Sequence, residues 1–307
     1  MARKRRNCNP INGILLLDKP KGLTSNKALQ AVKNLYRACK VGHTGSLDPL
    51  ATGLLPLCFG EGTKMSQFLL DANKHYQVQI KLGQETTTFD AEGEIVATKP
   101  VKITERELAR ALQGFLGEIE QIPPMYSAVK IDGQPLYKLA RKGIEVERAP
   151  RPVTIYEISE PKWLAEDEIE LEIRCTKGTY VRTLVHDLGQ RLGCGAHVQE
   201  LRRLGVGDLN LLDAFTMTEL EQTEDKQALL MPLNEGLSHY PGITLTSLAT
   251  HYLLQGQPVT VRHDCQPGWV RLHDQDELFL GMGLVLDDGR VAPKRMVYLG
   301  QKNCQKP

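Results

Sequence analysis

Polar and apolar residues alternate most regularly at positions 76–82, where Tyr76, Val78, Ile80 and Leu82 are separated by Gln77, Gln79 and Lys81. A period of two predicts a half-buried strand. Two continuous apolar runs, residues 13–17 and 54–59, predict strands buried on both faces. Leu29, Val32 and Leu35 recur at helical spacing behind Thr24 and Ser25, which predicts a capped helix to about Tyr36. Thr104 and Glu107 form a capping box for a helix to about Leu116. Helices are also expected over residues 64–71, 180–192 and the acidic stretch 216–237. Further strands are expected at 94–97, 153–158 and 168–175, and within 197–209.

Residues 121–152 break this pattern with Pro123, Pro124, Pro135, Pro150 and Pro152. They read as an insertion carrying one helix, 136–142, on an irregular base. Residues 239–242 read as a linker. Beyond it come a short helix, 247–254, and strands near 259–261, 268–273, 277–286 and 290–298, enough for a small barrel. Helices and antiparallel strands follow one another irregularly, not as repeated βαβ units. The fold class expected is α+β, with a mixed, mainly antiparallel sheet.

Composition adds little to this. The chain has 307 residues and a net charge of +1, so total charge does not announce a nucleic-acid partner. The charge is uneven, however. Residues 130–151 and 174–203 are rich in Lys and Arg, whereas 213–235 are acidic around Lys226 alone. That asymmetry fits one RNA-facing side. The basic start, Arg3 to Arg6, reads as an arm able to touch phosphates, and no apolar run long enough for a membrane span or a signal segment follows it. The seven cysteines have no CxxC spacing, so free thiols in a reducing cytoplasm are expected, with no zinc or redox motif. GxGxxG and GxxxxGK[ST] are both absent from the sequence, which argues against nucleotide-phosphate loops of those kinds.

The stretch that changes the picture is 42–60, GHTGSLDPLATGLLPLCFG. Its glycines permit backbone angles closed to other residues. Pro49 pushes Asp48 toward extended geometry. A lone carboxylate on a stiff loop beside a buried strand is a candidate nucleophile or general base. The segment HTGSLDPLATGLLPLCFGEGTK resembles the signature of the TruB family of pseudouridine synthases. DKPKGLTS at 18–25, KHYQVQIKLG at 74–83 and CTKGTYVRTLVHDLG at 175–189 extend the resemblance in the family's order and spacing.

The resemblance implies a pseudouridine synthase fold over residues 1–240, with an RNA-clasping thumb at about 121–152, and a small PUA-like β-barrel over 241–307. It implies isomerisation of uridine to pseudouridine in the T-loop of tRNA, at position 55 of that RNA, by a monomer acting without cofactor or metal. Asp48 then attacks either the ribose or the uracil ring. Arg182 pairs with Asp48, and Tyr76 stacks on the base and takes the carbon-5 proton. Tyr180 and Leu201 line the pocket, and His43 fills the space that the flipped base leaves. Lys19, Lys64 and Arg203 complete the substrate-binding set by resemblance, Lys64 and Arg203 as phosphate contacts. Ser46 stands where the family often has alanine, and Phe89 where it often has a polar residue. The alternative is an RNA-binding or tRNA-folding module with secondary or no catalysis.

Overall fold

The computed structural model describes residues 8–131 and 133–298. The arm Arg3 to Arg6 and the thiol of Cys304 lie outside the described residues. A ten-stranded mixed sheet organises the larger part of the chain. Its strands are β1 (Gly13–Lys19), β2 (Val41–His43), β3 (Thr52–Phe59), β4 (Lys74–Leu82), β5 (Gly117–Gln121), β6 (Arg151–Ile158), β7 (Lys162–Ala165), β8 (Glu168–Cys175), β9 (Ala196–Val206) and β10 (Leu209–Asn210). The spatial order is β1-β3-β9-β4-β8-β6-β5, with β2, β7 and β10 paired at the flanks. All these pairings are antiparallel except β3 with β9.

The alternating stretch is β4, whose residues are buried at every second position. It sits in the middle of the sheet, between β9 and β8. The apolar runs become β1 and β3, paired along their full length and buried on both faces. Thr24 caps α1 (Ser25–Leu35) by accepting from the Lys27 amide, and Thr104 and Glu107 form the complete capping box of α2 (Glu105–Gln113). The helix Val181–Leu192 packs on the sheet beside β9 and ends at Gly193, whose φ of 78° closes it in the left-handed conformation.

Several expectations are corrected. Residues 64–71 split into a 3-10 turn, Gly60–Lys64, and a short helix, Ser66–Asp71. Of 216–237 only Met217–Gln222 is α-helical. Asp225 then caps a separate 3-10 turn, Lys226–Leu229, because an Asp side chain competes for backbone amides and interrupts a helix. The C-terminal strands Gly242–Thr244, Gly268–His273, Phe279–Val285 and Val291–Met296 form a four-stranded sheet. Residues 259–261, which follow Pro258, contribute one bridge, from Val259 to Val291, instead of a strand. Cys8 and Cys39 are not free: they form a disulfide, with Cα atoms 4.9 Å apart. Asn9 bridges Ala38 and exchanges backbone hydrogen bonds with Arg37 and Cys39, which brings the two sulfurs together.

The C-terminal sheet shares a hydrophobic core with the larger part. Ile14, Leu16, Leu54 and Phe68 cluster with Phe279, Met282 and Val297. Phe68 meets Trp269 edge-on at 4.9 Å between ring centroids. Within 121–152, Lys130–Ile131 and Gln134–Pro135 pair as a small hairpin before the helix Leu136–Ala140.

Candidate active site

Asp48 lies on the loop between β2 and β3. The loop is fastened at several points. Ser25 Oγ donates to the Leu47 carbonyl at 3.0 Å and accepts from the Leu47 amide at 2.7 Å. The Thr44 amide donates to the Pro56 carbonyl, and the Gly22 amide to the Pro49 carbonyl. Leu47 and Leu50 are buried beneath it. Gly53, at φ +97°, has no room for a Cβ, which would collide with the backbone of Arg203. These ties hold a carboxylate in place with no motion required of the loop.

Arg182 enters from the first turn of the helix Val181–Leu192 and is almost wholly buried. Its Nε lies 2.9 Å from Asp48 Oδ2, and one terminal nitrogen lies 3.4 Å from Asp90 Oδ2. The remaining donors go to the carbonyls of Thr88 at 3.0 Å and Tyr126 at 2.7 Å. The guanidinium thus binds two carboxylates and two carbonyls at once, which an ammonium has no geometry to do. Asp90 is buried, and accepts from Thr88 Oγ1 at 2.5 Å and from the Glu92 amide at 3.1 Å. Phe89, at φ +63°, stacks on His186 with centroids 4.0 Å apart. That anchor holds Thr88 and Asp90 against Arg182.

The electrostatics follow. Burial raises the Asp48 carboxyl above its ordinary range, Arg182 pulls it back, and Asp90 adds to the rise. The side chain is 42 % exposed, so it is open to a substrate from one side while crowded on the others. A cavity of about 290 Å³ opens there, lined among others by Asp48, Tyr76, Tyr180, Arg182 and Leu201. A second, of about 470 Å³, also lined by Asp48, includes His43, Asp90, Tyr137 and Arg141 among its walls. Tyr76 comes from β4, opposite Arg203 of β9 and Ile173 of β8. Tyr180 caps the helix that carries Arg182, and its backbone is clamped by the Gln121 amide side chain.

A model of the TruB family pseudouridylate synthase N-terminal domain matches residues 33–181. A tRNA pseudouridylate synthase B C-terminal model matches 182–238, and a pseudouridine synthase II TruB C-terminal model matches 241–297. A tRNA pseudouridine synthase B of Stutzerimonas stutzeri (strain A1501) is 52% identical over 303 residues, covering 97% of this chain and 99% of the relative. This chain belongs to the TruB family of pseudouridine synthases. A second relative with the same name, from Serratia proteamaculans (strain 568), is 50% identical over 310 residues and covers 97% of this chain and 98% of its own. In fold the chain resembles a protein in a structure of an H/ACA RNP bound to a substrate RNA containing 2'-deoxyuridine. That match has a TM-score of 0.72 at 20% identity and covers 97% of this chain and 93% of the other.

Lys19, Lys64 and Arg203 of the expected substrate-binding set all have partners within this TruB-family chain. Lys19 is fully buried, and its Nζ donates to the carbonyls of Pro20 at 2.9 Å and Leu23 at 2.7 Å. Burial lowers it to about 8 against the pull of Asp48. It holds the turn under the Asp48 loop and reaches no surface. Lys64 sits against the C-terminal sheet, with Nζ 2.6 Å from Glu61 and 2.8 Å from the Met296 carbonyl. Arg203 is 1% exposed, donates to the Leu54 carbonyl at 2.7 Å and contributes to the lining of the first cavity. His43 lines the second cavity with Nδ1 buried and unpartnered among the described residues. Burial, then Arg203, lowers its ring below the ordinary histidine value and favours the neutral form. Sequence reasoning missed Asp90 and the carbonyls of Thr88 and Tyr126. Asp90 stands in a polar, turn-rich segment, and only the three-dimensional approach of Arg182 distinguishes it from a turn residue.

Proposed function

We propose that this chain isomerises uridine to pseudouridine in tRNA, at position 55 of the T-loop, with Asp48 as nucleophile and no cofactor. The observation that carries the proposal is the Asp48–Arg182 pair at 2.9 Å on the floor of a cavity walled by Tyr76, Tyr180 and Leu201. It occurs in a chain half identical, end to end, to relatives named tRNA pseudouridine synthase B.

The reaction breaks the bond between base and ribose, turns the base, and rejoins it through carbon 5. Nothing is oxidised and no group is added. The target uridine leaves its stack to enter the cavity, which costs a few kcal/mol. The neutral His43 ring fills the vacated space, and the Tyr76 ring stacks on the base, worth about 1–3 kcal/mol. Arg182 keeps Asp48 ionised and aimed while water is displaced. Asp48 then attacks the ribose or the uracil ring, and Tyr76 receives the proton of carbon 5. The T-arm is the element gripped, the thumb at 121–152 closes over it, and the protein acts as a cytoplasmic monomer. Incubating purified protein with tRNA and sequencing the RNA for pseudouridine tests the reading; wild-type protein that modifies no tRNA at any uridine overturns it.

Tyr76→Phe is expected to keep RNA affinity, because the stacking ring remains. Product formation slows by about 10²-fold or more, the contribution of a positioned proton acceptor. Filter binding and single-turnover assays separate the two quantities, and wild-type turnover would remove the hydroxyl from the mechanism.

Residues 241–307 read as an RNA-binding domain. Deleting them is expected to weaken tRNA binding more than it slows single turnover at saturating protein, because Asp48, Tyr76 and Arg182 all precede the linker. It also uncovers Phe68, Ile14 and Leu16, so the melting temperature falls. A folded truncation whose saturated rate collapses would show the division at 240 to be misplaced.

A further inference from the structure

Adjacent residues of β9, Arg202 and Arg203, use their charges differently. Arg202 forms a bidentate pair with Asp18, at 2.6 and 3.1 Å. Arg203 is buried, and among the described residues no carboxylate lies within ion-pair distance of it. Its donors meet neutral acceptors: the carbonyl of Leu54 at 2.7 Å and that of Gly45 at 3.4 Å. Tyr76 stands directly across the strand pair from Arg203, and both side chains line the cavity that holds Asp48. A buried cation without an anion is costly. A phenolate at Tyr76 would relieve that cost, and Tyr76 is the group that meets the carbon-5 proton.

We propose that Arg203 is a positioning residue for this proton transfer: it aims the Tyr76 hydroxyl at the base and complements its charge when it ionises. The inference rests on the isomerase reading. Ionised Tyr76 takes the carbon-5 proton through Oη, and the electron pair of that C–H bond returns to the uracil ring. N1, freed of its glycosidic bond, is protonated from solvent, and the re-formed hydroxyl later releases its proton to solvent. The ring gains one proton and loses one, so no further reactant enters. Burial raises Tyr76, with the nearby Cys175 and Asp48 adding to the rise, and Arg203 is the cation that opposes it. Arg203 is lowered by burial and raised again by Tyr76. Arg203 also touches the Asp48 loop at Gly45, so proton acceptor and nucleophile share one support.

The test is a double-mutant cycle in single turnover, using wild type, Tyr76→Phe, Arg203→Lys and the double variant, on tRNA with protium or deuterium at carbon 5 of its uridines. Arg203→Lys keeps the buried charge and is expected to fold. It should slow turnover at least about tenfold with RNA affinity kept, and slow it further on the deuterated substrate. In the Tyr76→Phe background the same change should cost almost nothing more. Arg203→Gln, which removes the charge, should move the alkaline rise of the pH–rate profile to higher pH. Multiplying penalties, with no isotope effect in Arg203→Lys, would reduce Arg203 to a structural residue and overturn the inference. Should Arg203→Lys fail to fold, the pH profile of Arg203→Gln decides, and an unmoved profile overturns the inference. These outcomes require active wild type; inactive wild type instead defeats the isomerase reading.

Discussion

Asp48→Asn is expected to yield folded protein that binds tRNA and forms no detectable pseudouridine. Asparagine matches aspartate in shape, so the ties of the loop to Ser25, Pro56 and Gly22 survive. On the proposed mechanism the nucleophilic charge at position 48 is lost, and removing a nucleophile costs on the order of 10⁴–10⁶ in rate. Stability should hold or rise at neutral pH. Arg182 keeps Asp90 and the carbonyls of Thr88 and Tyr126, so it is not left unpaired. The sign for Asp48 is the reverse of the usual acid: its folded value is raised. Its ionised form therefore opposes folding at pH above that value, and asparagine removes the opposition. The same raised value places the acid limb of wild-type activity above the ordinary carboxylate range near pH 4. Thermal unfolding, RNA binding and pseudouridine yield on one preparation check all three statements. Pseudouridine at an unreduced rate would dismiss Asp48 as nucleophile.

Arg182→Ala should be the most destabilising single change in the site. Asp90 is buried and loses its only ionic partner among the described residues, and the carbonyls of Thr88 and Tyr126 lose their donors. Removing one partner of such a pair costs about 3–5 kcal/mol. Asp48, freed of the arginine's pull, rises further under burial and the neighbouring carboxylate. Because a raised folded value means the native state binds more protons, the variant regains stability relative to wild type as pH falls from neutral toward about 4. Urea unfolding across that range measures the trend. Arg182→Lys should recover part of the stability and little of the activity, since one ammonium cannot span the fork's four acceptors. A flat stability difference across the pH range would show that the carboxylates do not feel Arg182.

Much of the site was legible because its signals are local. The rigidity of the Asp48 loop is written in Gly45, Pro49 and Gly53, within one turn of the chain. Tyr76 announces its strand by alternation, and Tyr180 and Arg182 begin a helix whose apolar spacing is plain. The rest depends on pairings between distant segments. Asp90 acquires meaning from a helix 92 residues later, where its neighbour Thr88 meets Arg182 across a separation of 94. Resemblance alone makes Arg203 a phosphate contact, and nothing local in the sequence says that its guanidinium is buried against the Leu54 carbonyl. The mate of Cys8 is 31 residues away, and thiol spacing cannot foretell a bridge made by the Asn9–Ala38 pairing. The acidic stretch after Gln222 reads as a continuing helix, whereas Asp225 caps a new turn there.

The parallel junction of β3 with β9 has a consequence for the order of events at the ribosome. Gly45 and Leu54, whose carbonyls bind Arg203, precede it by 158 and 149 residues. At about 5–20 residues per second, translation separates them by about 8–30 s. Through that interval β1, β2 and β3 have one another, β4 waits for β8 until residues 168–175 are made, and the strand that joins the two halves comes last. The backbone around Asp48 is therefore synthesised early and receives its final support late, when β9 slides between β3 and β4. Catalytic competence waits on two-thirds of the chain having emerged.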